Sequence, residues 1–133
     1  MKYEKAKKYN IDLVNQKIMG PNPLKLEEEL MNNNRTKRGS IVMDLGSGQG
    51  ITAVFLVKEY GFKVYATDLW SDPEVNRKFF NEMSLTGEQI IPVCADANDL
   101  KYDKDFLMQL LVRILTIILE EMKIIWMKSF YHL

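Results

Sequence analysis

Cysteine and histidine are almost missing from this chain: Cys94 and His132 are the only ones. A lone thiol rules out an internal disulfide and suits a reducing cytosol, so a cytoplasmic protein is expected. His132 stands near the far end and reads as a tail residue rather than a catalytic base, and no metal site is expected. An excess of either charge is missing too, with 18 Lys and Arg against 18 Asp and Glu. Nothing in that balance favours nucleic acid or an anionic membrane as a bulk partner. The basic residues Lys5, Lys7 and Lys8, and Arg35, Lys37 and Arg38, read as a solvated helix face and a loop. The charged N-terminus has no apolar core of a secretory signal. The most apolar window, 106–119, contains Gln109 and Arg113 and is too short to span a bilayer.

What remains is a chain of 133 residues, 47% hydrophobic and 27% charged, the size and balance of one small globular domain. Residues 1–38 are polar, broken by "GPNP" at 20–23, and continue into "LKLEEELMNNN", a short amphipathic helix ending in an asparagine run. Residues 39–105 alternate in a regular way. "SIVMDL" is an apolar run of strand length, followed by a glycine turn and by "ITAVFLVKEYG", with apolar residues at helical spacing and a stop at Gly61. "FKVYATDL" reads as a second strand. "PEVNRKFFNEMSLTG" reads as a second helix opening on Pro73 and closing near Gly87, and "QIIPVCADA" as a third strand, slightly weakened by Pro92. Strand–helix–strand–helix–strand with short connections predicts parallel strands joined by right-handed crossovers. The expected architecture is a Rossmann-like three-layer α/β sandwich, incomplete, with a C-terminal apolar helix. The whole of 1–133 is one incomplete domain: an N-terminal helical segment (1–38), a cofactor-binding half (39–105) and an atypical apolar tail (106–133).

The turn in "IVMDLGSGQG" carries three glycines in five positions between a strand and a helix, an arrangement that brings backbone N–H groups and a helix N-terminus to a ligand. A tight structural turn is the plain alternative. Three acids add weight. Asp44 precedes the first glycine by two residues, where a carboxylate suits a cation or hydroxyls and would repel phosphate. Asp68 closes the second strand, 22 residues after Gly46, where such folds place an acid on ribose hydroxyls. Asp96 closes the third strand. Each alone could be a helix cap or loop carboxylate, but together they face the crevice at the C-terminal ends of parallel strands.

These residues resemble the class I S-adenosylmethionine-dependent methyltransferases. "VMDLGSGQG" looks like the family's first motif, "VYATDL" like the second and "CADAND" like the third. The resemblance implies that Asp44, Leu45, Gly46, Ser47, Gly48 and Gly50 line the methionine and ribose part of the cofactor. It further implies that Asp68 accepts from the ribose hydroxyls, that Leu69 and Trp70 flank the adenine, and that Asp96 and Ala97 meet its edge. The segment "MGPNP" at 19–23 resembles, loosely, the N-terminal approach over the cofactor in small-molecule methyltransferases; a surface turn is the plainer reading. The implied activity is methyl transfer to a small-molecule acceptor. Such a reaction needs alignment and exclusion of water more than acid–base groups, so the shortage of His and Cys is no objection. A nicotinamide-dependent oxidoreductase is the alternative enzyme; the GxGxG spacing and Asp44 count against it. A non-catalytic interaction fragment with an apolar helix is the third reading.

The tail departs from that family. After "DLKYDKDF" a fourth strand is called for, and the chain gives "LMQLLVRILTIILEEMKIIWMKSFYHL" instead. An amphipathic or buried helix is the plain reading. Shifted by one base, the junctions Met108–Gln109, Met122–Lys123, Trp126–Met127 and Met127–Lys128 have no coding freedom and give Ala, Glu, Asp and Glu. The remaining junctions permit a string opening "FDAIVS", which looks like the absent fourth strand. The expectation is a chain truncated or frameshifted after about residue 106, with weak or no turnover and with a sheet edge or apolar tail open to oligomerisation.

Overall fold

The computed structural model describes residues 2–18, 22–32, 34–96 and 98–100. The expected tail helix over 106–133, its frame, Ala97, and residues 19–21 of the "MGPNP" segment lie outside the described residues. After a 3-10 turn at Ala6–Lys8 come α1 (Ile11–Lys17), α2 (Pro23–Met31), β1 (Ile41–Leu45), α3 (Ile51–Tyr60), β2 (Lys63–Asp68), α4 (Pro73–Glu82) and β3 (Ile90–Cys94). The strands are parallel in the order β1-β2-β3, with Asp44 opposite Ala66 and Asp68 opposite Cys94. This is the predicted strand–helix alternation. Pro92 sits within β3, which is the last strand of the described sheet and pairs only with β2 there, so its missing N–H costs no described ladder bond.

Two successive right-handed crossovers stepping in one direction leave both helices on one face of the sheet. Side-chain burial agrees: Val64, Ala66 and Ile90 of that face join Val54, Phe55, Phe79 and Phe80 of α3 and α4 in one core. Phe55 and Phe80 are fully buried, each contributing about 2 to 3 kcal/mol of apolar transfer. Among the described residues the expected three-layer sandwich is therefore a two-layer half, sheet and one helical layer; the third layer has no described residues.

The helices begin and end for identifiable reasons. Asn22 caps α2 through Leu24 N–H, and Asp72 caps α4 through Glu74 N–H, with proline in the first turn of each. Gly61 closes α3, as expected, its N–H donating to Val57. The second helix stops short of Gly87, at Glu82. Ser84 takes the left-handed conformation (φ 63°), its N–H donates to Asn81 O and the Leu85 N–H donates to Phe80 O. That is a Schellman closure made with serine instead of glycine, and the burial of Leu85 against the core holds it.

The N-terminal segment is tied down by an acid. Glu28 of α2 is buried and accepts from the backbone N–H groups of Lys5 and Ala6. These two bonds secure the 3-10 turn to α2, which in turn packs on α3.

Candidate functional site

The glycine turn is held by β2, by the loop between β2 and α4, and by α4 itself. Gly46 and Ser47 both donate to Thr67 O, at 2.8 and 3.2 Å, and Gly50 N–H donates to Ser47 O. The Gly48 peptide is gripped from several sides: its N–H donates to Asp68 Oδ2 (3.0 Å), while its carbonyl accepts from Asn76 Nδ2 (3.0 Å) and from Ser71 Oγ. The turn's own amides at 46, 47, 48 and 50 thus all have acceptors inside the protein. What the turn presents instead is the start of α3, because Gly50 has no side chain with which to cap it.

The glycines differ in purpose. Gly48 has φ 55° and open space where a Cβ would stand, so conformation alone selects glycine there. Gly50 combines φ 88° with close approach: a Cβ would lie 2.4 Å from Phe80 Cε1. Its role is packing α3 against α4, and it does not line the cavity.

That cavity, about 310 Å³, lies over the turn and is lined by Lys17, Ile18, Pro23, Gly46, Ser47, Gly48, Gln49, Ile51 and Thr52. Ile18, which precedes the "MGPNP" segment, and Pro23, its last residue, both line the cavity. Gly46, Ser47 and Gly48 line this cavity. Asp44 stands behind it, at the end of β1, accepting a hydrogen bond from Thr52 Oγ1. Leu45, Asp68, Leu69, Trp70 and Asp96 lie outside its lining. Leu69 and Trp70 follow β2 and are exposed, Trp70 at 90%.

The three predicted acids have different surroundings. Burial raises the Asp44 carboxyl above the usual carboxylate range; the Thr52 bond pulls it partly back and the charge of Asp68 pushes it up again. For Asp68, burial works upward but is outweighed by N–H donation from Trp70, Gly48 and Ser71, and its carboxyl lies below the usual range. Asp96 is exposed, beyond the end of β3 at Cys94, and closes a local turn by accepting from the backbone and side chain of Asn98. Among the described residues these are the side-chain contacts of Asp96.

Two site residues escaped the sequence reading. Glu27 of α2 lies near enough to Asp44 to feel its charge; burial first, then Asp44, push its carboxyl up to about 7. Asn76, 4% exposed, holds the Gly48 carbonyl. A signal for Glu27 existed: with Glu28 it follows Leu24 by three and four residues, on the helix stripe that Leu24 and Met31 bury.

The fold and crevice define a class: the first half of a Rossmann-like parallel α/β unit whose strand ends carry acids instead of phosphate-binding groups. Among solved structures the chain is similar to the [4+2]-cyclase SpnF, with TM-score 0.53 and 16% identity over 65% of this chain and 33% of that one. At that identity the likeness shows the fold, and this chain spans about a third of that enzyme's length. No family model and no curated relative matches the sequence.

Proposed function

We propose that the chain binds S-adenosylmethionine in this crevice and descends from enzymes that transfer its methyl group to a small-molecule acceptor. One observation carries the reading: Glu27, Asp44 and Asp68 concentrate negative potential around the glycine turn, with the carboxyls of Glu27 and Asp44 pushed upward. A pyrophosphate would meet repulsion there, whereas a cationic, phosphate-free nucleoside would relieve it. The residues fit that group: open space stands in front of Gly46 and Gly48, and the buried Ser47 hydroxyl has no partner among the described residues. When bound, S-adenosylmethionine supplies an electrophilic methyl group on a sulfonium. Asp44 and Glu27 would complement its positive charge, and Asp68 has acceptor capacity left on its carboxylate for ribose hydroxyls. Trp70, exposed beside Asp68, would lie against the adenine.

The reaction named for SpnF is a cyclisation, so binding and methyl transfer are measured separately. Calorimetry on the full chain is expected to show binding of S-adenosylmethionine and S-adenosylhomocysteine and none of NAD. Binding of NAD with no response to either sulfur ligand would overturn the reading.

A further inference from the structure

The crevice occupies one end of the sheet, and the opposite end carries the other charge. Residues that precede parallel strands lie at their N-terminal ends, so the loop before β1 and the loop between α3 and β2 meet there. Two backbone bonds join them: Gly39 N–H donates to Gly61 O (2.8 Å) and Lys63 N–H to Ser40 O (2.9 Å). A third, from Ser40 N–H to Lys37 O, closes the turn that carries Lys37 and Arg38. The Arg38 guanidinium lies over Gly61, whose left-handed backbone (φ 67°) bears no side chain; a Cβ there would stand 2.7 Å from Arg38 Nη2. Arg35, Lys37, Arg38 and Lys58 are exposed and Lys63 is half-buried, so five cations share this end. Among the described residues none of the five has an ion-pair partner. Of the acids at the same end, Glu59 is taken by Lys8 and Tyr9, and Glu88 stands a strand further off, before β3.

The end of α3 accounts for part of this charge. Lys58 and Arg38 sit where the helix dipole is negative, and one or two cations suffice there. Arg35, Lys37 and Lys63 exceed that need. The overall balance of 18 against 18 hides the asymmetry, because acids gather at the opposite strand ends. Ile41, 42% exposed, stands in register with Lys63 beside the cations. An aliphatic side chain exposed within a basic surface suits an anionic bilayer: headgroup charge attracts the cations, and the acyl boundary takes the apolar group. A nucleic-acid backbone would use the cations and leave Ile41 in water. We propose that this end of the sheet docks reversibly on an anionic lipid surface, with the crevice turned to the aqueous side.

The test is co-sedimentation of the full chain with vesicles of phosphatidylcholine alone or with one third phosphatidylserine. Binding is expected to be at least about thirtyfold stronger to the anionic vesicles and to disappear at high salt. Lys37→Glu is expected to weaken it about tenfold, whereas Lys78→Glu, the same charge change at an exposed lysine of α4, leaves it within about twofold. Ile41→Ser is expected to weaken it about threefold. Arg35→Glu repeats the first variant at a second loop position, so the comparison survives poor folding of either. Equal binding to both kinds of vesicle, equal losses for Lys37→Glu and Lys78→Glu, or no vesicle binding overturns the proposal. Salt-sensitive binding of a DNA duplex without binding to vesicles overturns it as well and assigns the cations to nucleic acid. Each of these results leaves the cofactor reading as it was, because the crevice lies at the other end of the strands.

Discussion

Asp44 and Asp68 stand near the C-terminal ends of the neighbouring strands β1 and β2, two register steps apart, yet their carboxyls shift in opposite directions. Asp44, half-buried behind the first turn of α3, has one side-chain donor among the described residues, the Thr52 hydroxyl. Asp68 stands more open and collects N–H groups from Gly48, Trp70 and Ser71. A place near a strand end therefore does not set the chemistry of an acid; burial and the donors around it do. Asp68 is a brace as well as an acceptor, joining the glycine turn to the β2–α4 loop. The charged form of Asp44 carries a cost in the protein alone that a proton or a bound cation would relieve.

The largest effect should come from removing the brace. Asp68→Ala leaves three backbone N–H groups without their acceptor and frees the Gly48 peptide. The expected result is a loss of about 1 to 3 kcal/mol in urea denaturation and of roughly a hundredfold in S-adenosylmethionine affinity by calorimetry. Asp44→Asn should behave in the opposite sense toward stability. It removes a disfavoured charge and keeps an oxygen for Thr52, so at pH 8 the protein is expected to gain about 1 kcal/mol while affinity falls about tenfold. If both variants destabilise equally at pH 8, the contrast between the two acids is broken.

Most of the fold was legible because parallel, buried strands write themselves as short apolar runs, and "SIVMDL" and "FKVYATDL" are such runs beside an unambiguous glycine turn. The end of α4 was not. Gly87 carried the local stop signal, but the burial of Leu85 decided the matter and put Ser84 into a conformation serine seldom takes. In the site, Asp44 and Asp68 were readable from their place after strands, whereas their opposite titration depends on donors 2 to 20 residues away in sequence. Glu27 was hidden by its neighbours: "EEE" reads as a solvated face until tertiary packing turns Glu27 and Glu28 inward.

Glu27 supplies the finest probe of the contrast, because it should share the behaviour of Asp44 and none of Asp68's. Its carboxyl sits near 7 in the folded chain against 4.5 ordinarily, so the folded state binds the proton more tightly than the unfolded one. The linkage then runs one way: stability is greatest below about 4.5 and falls as pH rises to about 7. A cation in the crevice displaces that proton, so affinity for S-adenosylmethionine should rise across the same interval. Asp68, already ionised throughout, contributes no slope there. Glu27→Gln is expected to flatten both profiles, adding about 1 kcal/mol of stability at pH 8 and almost nothing at pH 4.5, after allowance for the side chain's partial exposure. Its affinity for S-adenosylmethionine should drop about threefold at pH 8 and stay level at pH 5. Urea midpoints and calorimetry at several pH values read both quantities. A variant that keeps the wild-type slope would assign the titration to another group and separate Glu27 from Asp44.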